Sequence, residues 1–140
     1  MKKINLFVYG SLREGFFNYD KYLAGKVVEK KDAILENMRL YHMPYKGYPA
    51  ITPGNDKVLG EIMVINEEEY DETVKDMDGF ISENNPENEY HKIVLEVKNL
   101  QTNEKEKCFV YFYNKDKDKV FDSESVYIPN GDWKEYMLTK

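Results

Sequence analysis

The chain has one cysteine, Cys108, two histidines, one tryptophan and only two arginines in 140 residues. A lone cysteine excludes an internal disulfide framework, and with two histidines beside it there are too few soft ligands for a typical closed zinc site. The shortage of arginine is as telling. Arg13 and Arg39 stand against 18 lysines, which leaves little for forked phosphate recognition. Acids outnumber bases 26 to 20, for a net charge of -6, so nucleic acid is not an expected partner. No apolar stretch approaches the ~18 residues of a membrane span. The start Met1-Lys2-Lys3 is basic, but its apolar run is broken by Gly10, Ser11 and Arg13 before it reaches signal-peptide length. These absences predict a soluble, cytoplasmic protein without a membrane partner.

What is present points to a folded core. Hydrophobic residues make up 41% of the chain and aromatics 14%, too many for disorder. A chain of this length buries roughly 68% of its unfolded surface and has no room for a separate cofactor module, so residues 1–140 are read as a single domain. Ile4 to Val8 is rich in β-formers and stops at Tyr9-Gly10-Ser11-Leu12-Arg13-Glu14-Gly15, a turn bracketed by glycines. Phe16, Phe17, Tyr19, Tyr22 and Leu23 then recur at helical spacing up to Gly25. Val27–Ile34 and Met38–Met43 suit two strands turning at Glu36-Asn37, and Pro44 to Gly54 reads as irregular. Val58–Ile65 is a strong strand. Asn66 with Glu69 forms a capping box for a helix from Glu67 to about Met77, ending at Gly79. Tyr90–Val97 and Lys107–Tyr113 are two more strands, and an amphipathic segment follows Trp133. The expected class is α+β, with about six strands in a strongly curved or barrel-like mixed sheet and two or three helices.

Chemistry concentrates in two places. Successive backbone N–H groups in the turn Tyr9–Gly15, ahead of a helix, can form a concave site for a carboxylate or oxyanion, with the Ser11 hydroxyl and the Arg13 cation beside it. The same residues also suit a plain strand-to-helix turn. Met77-Asp78-Gly79-Phe80 presents a carboxylate among apolar residues. Buried there, it would hold a proton more tightly and suit a general base near neutral pH; exposed, it would be an ordinary helix-end acid. Tyr90 could hydrogen-bond a ligand or pack as a half-buried strand tyrosine. His42 and His91 read as surface or strand residues. Cys108, within the apolar run Cys108-Phe109-Val110-Tyr111, reads as a packed, inert thiol.

In order along the chain, Val8-Tyr9-Gly10-Ser11-Leu12-Arg13 with Gly15 and Asn18, Gly47-Tyr48-Pro49-Ala50-Ile51, Val58-Leu59-Gly60-Glu61-Ile62, the step Asp78-Gly79-Phe80, Tyr90-His91-Lys92 and Val110-Tyr111 together resemble the gamma-glutamylcyclotransferase-like superfamily. The resemblance implies a mixed β-barrel with flanking helices and a cavity at its mouth. It implies cyclisation of a small-molecule gamma-glutamyl amine or amide to 5-oxoproline, with release of the free amine and no metal or organic cofactor. Tyr9, Gly10, Ser11, Leu12, Arg13 and Tyr90 would bind substrate. Asp78 would stand where relatives carry the general acid/base glutamate. An aspartate is one methylene shorter, which misplaces the carboxylate by on the order of 1 Å and can cost ~100-fold in rate. A shifted alignment, starting at Met77-Asp78, would put Ile81 at that position. Lys92 stands where relatives commonly carry arginine. The alternative reading of the same residues is a non-catalytic binder of a small amino acid or carboxylate. A third is a protein-interaction module whose pocket is filled by Phe16, Phe17 or Phe80.

Overall fold

The computed structural model describes residues 4–10, 12–13, 15–84 and 90–139. The first strand, β1 (Asn5–Val8), shows how the layers are built. Successive side chains of a strand point to opposite faces, so Phe7 and Tyr9 enter the core inside a barrel while Leu6 and Val8 face a second core outside it. The helix α1 (Phe17–Tyr22) follows the glycine turn, and Gly25 closes it in the left-handed region at φ 80°.

Two long strands, β2 (Val27–Met43) and β3 (Tyr48–Ile65), then form one hairpin. This corrects the expectation of a turn at Glu36-Asn37 and of an irregular Pro44–Gly54. Asn37 takes φ 64° within a bulge, where the register jumps from Glu36↔Lys57 to Met38↔Pro53. Asparagine tolerates that conformation, and the bulge bends the strand without ending it. Pro49 and Pro53 lie in β3 itself, opposite His42 and Met38. They are tolerated because β1 pairs with β3 only at Glu61–Met63, leaving the proline-bearing half an edge on its other side.

A 3-10 turn at Glu67–Glu69, capped by the Asn66 side chain accepting from the Glu68 N–H at 2.9 Å, leads into α2 (Tyr70–Asn84). The helix does not stop at Gly79. It continues five residues further, because Ile81 extends the stripe Tyr70, Val74 and Met77 that packs on Leu6, Met63 and Tyr111. Asp78 therefore sits inside a helix. After α2 come β4 (Tyr90–Asn99) and β5 (Lys105–Tyr113), a single helical turn α3 (Phe121–Glu124), a short β6 (Val126–Ile128) and α4 (Trp133–Thr139).

The strand order is β3-β1-β5-β4-β2-β6, and the additional β2–β3 pairing closes the first five strands into a barrel. Only β1 and β5 run parallel; the other pairs are antiparallel. This is a mixed barrel of the α+β class, with β6 added along β2. Phe7, Leu40, Ile51, Ile62, Cys108 and Val110 are all fully enclosed inside it. Among the described residues no helix is long and apolar enough to cross a membrane.

Candidate functional site

A cleft of about 510 Å³, including space open to solvent, lies where the end of β1 meets α2 and the first half of β3. The glycine turn supplies one wall through Tyr9, Gly10 and Leu12. The Arg13 N–H donates to the Gly10 carbonyl at 2.9 Å, which makes residues 10–13 a tight turn. Gly10 is required by its neighbour, because a Cβ there would stand 2.5 Å from the Pro49 ring. Tyr48 and Pro49 form the second wall, Phe80 and Ile81 of α2 the third. Ser11 and Glu14 lie outside the described residues.

Four tyrosines line this cleft, Tyr9, Tyr48, Tyr90 and Tyr111, and hydrogen bonds fix the hydroxyls of Tyr9, Tyr90 and Tyr111. The Tyr9 hydroxyl donates to the Tyr111 carbonyl at 2.6 Å. The Tyr90 hydroxyl donates to the Pro49 carbonyl, and its ring packs edge-on against Tyr113 at 4.8 Å, its partner across the β4–β5 pair. The Tyr111 hydroxyl donates to Asp78 Oδ1 at 2.6 Å. Burial pushes all three phenols well above their ordinary range; for Tyr9 a backbone hydrogen bond with Ile51 opposes the shift, and for Tyr111 the Asp78 carboxylate adds to it. All three therefore stay protonated and act as donors at neutral pH.

Asp78 is held by a cross-strand pair. Lys92 on β4 stands opposite Tyr111 on β5, so the Lys92 ammonium meets Asp78 Oδ2 at 2.7 Å while Tyr111 meets Oδ1. The carboxylate is not buried, since its side chain is 40% exposed. Among the described residues Asp78 is not part of the cleft wall, whereas Ile81, one turn on, is. Asp78 reaches the cleft through the phenol of Tyr111, which is.

Arg13 points elsewhere. Its guanidinium places Nε 3.3 Å from Glu61 Oε2 and Nη1 3.1 Å from Asp132 Oδ1, and Arg13 is 9% exposed. Of the other candidates, His42 is a strand residue of β2, as expected, and it is buried, accepting a hydrogen bond at Nδ1 from the Trp133 indole at 3.1 Å. Phe16 packs on Trp133, with ring centroids 5.1 Å apart, and so leaves the cleft open. Cys108 is fully enclosed, and burial, with the Glu106 carboxylate nearby, pushes its thiol up to about 12, so it is not a nucleophile. Among the described residues no cluster of three or more His, Cys, Asp or Glu could hold a metal.

Sequence reasoning singled out Asp78, Tyr9, Gly10, Leu12 and Tyr90, and the structure brings these to one end of the barrel. It missed Tyr111 and Lys92 as the partners of Asp78, and Glu61 and Asp132 as the partners of Arg13. Glu61 carried a signal: it is the one charge in the run from Val58 to Ile65, and a charge on an enclosed strand needs a partner.

A family model described as "Gamma-glutamyl cyclotransferase, AIG2-like" matches residues 6–135. The chain belongs to this family. Solved structures agree on the fold. A protein from Pyrococcus horikoshii is 23% identical, with a TM-score of 0.61 over 98% of this chain and 95% of that one. A mouse AIG2-like protein is 24% identical, with a TM-score of 0.57 over 78% of this chain and 76% of its own. The Escherichia coli protein ytfP is 21% identical, with a TM-score of 0.55 over 96% and 99%. No curated protein matches the chain. The family accounts for the barrel and for the glycine turn at its mouth.

Proposed function

We propose that this AIG2-like protein is a cytoplasmic cyclotransferase that converts a gamma-glutamyl amine or amide to 5-oxoproline and releases the free amine, without a cofactor. The observation that carries this reading is the hydrogen bond from Tyr111 to Asp78. It couples a carboxylate to a cleft walled by the glycine turn, the Tyr90 ring and Pro49. The α-ammonium of the substrate gives a proton to Asp78, and the freed amine attacks the gamma-carbonyl carbon of its own molecule. A C–N bond forms, the carbonyl oxygen becomes an oxyanion, and collapse breaks the bond to the leaving nitrogen. The two protons shed by the attacking nitrogen end on that leaving amine, so no water or second substrate is consumed. Ring closure gains from proximity, since nucleophile and electrophile share one molecule. Backbone N–H groups of the turn are the candidate donors to the substrate carboxylate and the oxyanion.

Incubating the protein with a panel of gamma-glutamyl amines, peptides and ε-(gamma-glutamyl)lysine should release 5-oxoproline. Asp78→Asn should abolish that release and Asp78→Glu should keep or raise it. Product from none of the panel, or full turnover by Asp78→Asn, would overturn the reading. One observation favours a second reading, a non-catalytic binder of a small amino acid or carboxylate: Lys92 pairs with Asp78 at 2.7 Å and competes with a substrate ammonium for it. That reading predicts saturable binding of 5-oxoproline or glutamate that raises the melting temperature, with no turnover.

A further inference from the structure

Three consecutive residues at the start of α4 lie against the glycine turn and Phe16, the residue that follows it. Asp132 takes Arg13 Nη1 at 3.1 Å. Trp133 packs on Phe16 with centroids 5.1 Å apart. The Lys134 ammonium lies 3.4 Å from where a Cβ on Gly15 would stand, and Gly15 has φ 104°. On its other side the same segment is fixed to the barrel. The Leu59 N–H of β3 donates to the Gly131 carbonyl at 2.7 Å. A Cβ on Gly131, which has φ 70°, would fall 1.8 Å from the Lys57 carbonyl, so only glycine permits this approach. The Trp133 indole donates to His42 of β2. Asp132 also caps α4 through the Glu135 N–H at 3.1 Å.

We infer that Arg13 is a positioning residue, and that it and Asp132 set the shape of the turn lining the cleft without touching the substrate. Among the described residues the guanidinium meets two carboxylates of the protein, and one of them, Glu61, is 2% exposed, with Lys30 Nζ 3.9 Å from its Oε2. A guanidinium fixed in this way could swing to a substrate carboxylate only by giving up both of these contacts, one of them to an enclosed acid. Arg13 instead ties the turn Gly10–Arg13 to β3 and to the cap of α4. Because Gly10 and Leu12 of that turn line the cleft, the C-terminal segment shapes the site from a distance.

The inference rests on the proposed reaction only for its kinetic arm. Hydrogen exchange on the whole protein tests it without any activity: Arg13→Gln and Asp132→Asn should each speed exchange of the residue-13 amide by about tenfold or more, as a local opening loosened by lost anchoring would. The double variant should be no faster than Arg13→Gln alone, since the contact to Asp132 is already lost there. Unchanged exchange in Asp132→Asn, whose side chain is 21% exposed and whose replacement is isosteric, would overturn the inference even if the Arg13 variant fails to fold. With an active substrate, both variants should lower kcat by roughly 10- to 100-fold, as a displaced turn would, with KM changed much less. A raised KM in Arg13→Gln alone, with Asp132→Asn at wild-type KM, would make Arg13 a direct ligand and sink the positioning role. If no substrate turns over, the proposed reaction fails while the exchange result still decides this inference.

Discussion

Two ion pairs flank the same cleft and differ in almost everything but charge. Arg13 and Glu61 have side chains 10% and 2% exposed, whereas those of Lys92 and Asp78 are 26% and 40% exposed. The first pair joins the glycine turn to β3 and, through Asp132, to α4. The second joins β4 to the middle of α2, with the cleft-lining Tyr111 as its third member. An enclosed pair resists separation because each partner would be left in a poorly solvated place, and an exposed pair separates easily because water replaces it. The contrast fits different work for the two under the proposed reaction: the buried pair holds the turn in shape, and the accessible one leaves a carboxylate within reach of a substrate ammonium.

The largest effect expected from this contrast follows removal of the buried cation. Arg13→Met withdraws a guanidinium from the nearly fully enclosed Glu61 and should lower unfolding free energy by about 3 kcal/mol or more, read as a shift of the denaturation midpoint. A loss below ~1 kcal/mol would mean that Lys30, 3.9 Å from Glu61, is sufficient compensation, and the distinction between the two pairs would collapse. Because Arg13 also anchors the turn, the same variant should lose turnover even at temperatures where it remains folded.

An intermediate effect of opposite sign is expected beside the accessible pair. Gly79 is exposed, lies inside α2 with no positive φ, and a Cβ there would meet nothing within 4 Å. Glycine costs a helix interior roughly 1 kcal/mol relative to alanine. Gly79→Ala should therefore raise stability by about that amount in thermal or denaturant unfolding, without displacing Asp78. If stability falls instead, the helix is not continuous through this position in solution.

That position also shows where sequence reasoning reached its limit. The sequence predicts a helix end at Gly79 because glycine commonly follows a last turn. What carried the helix past it was tertiary: Ile81 completes the stripe Tyr70, Val74 and Met77 against the barrel, and packing outweighs a local cost of this size. Asn37 misled for the same reason, because its positive φ serves a bulge in an 18-residue strand partner and not a turn. The ordered motifs from Tyr9 to Tyr111 are enough to read the family and the barrel. The partners of Arg13 and Asp78 were not legible, since Asp132 and Tyr111 are 119 and 33 residues away along the chain and meet them only once the barrel closes.

The smallest stability effect, and the one that separates structure from chemistry most cleanly, belongs to Lys92. Lys92→Met removes an accessible partner from Asp78 and keeps a side chain able to lie near the Phe109 ring, over which the ammonium now sits at 4.8 Å. Its cost in stability should be below ~1 kcal/mol, as for other exposed pairs. Its functional effect has two arms. If Lys92 serves to aim the carboxylate, turnover of a gamma-glutamyl substrate falls in Lys92→Met and is recovered in Lys92→Arg, which restores the charge and offers a fork. If Lys92 instead competes with the substrate ammonium, Lys92→Met binds that substrate more tightly and Lys92→Arg does not. Either outcome is read by comparing kcat and KM in the two variants, and both differ from the Arg13 result, in which the loss of stability and the loss of turnover come together.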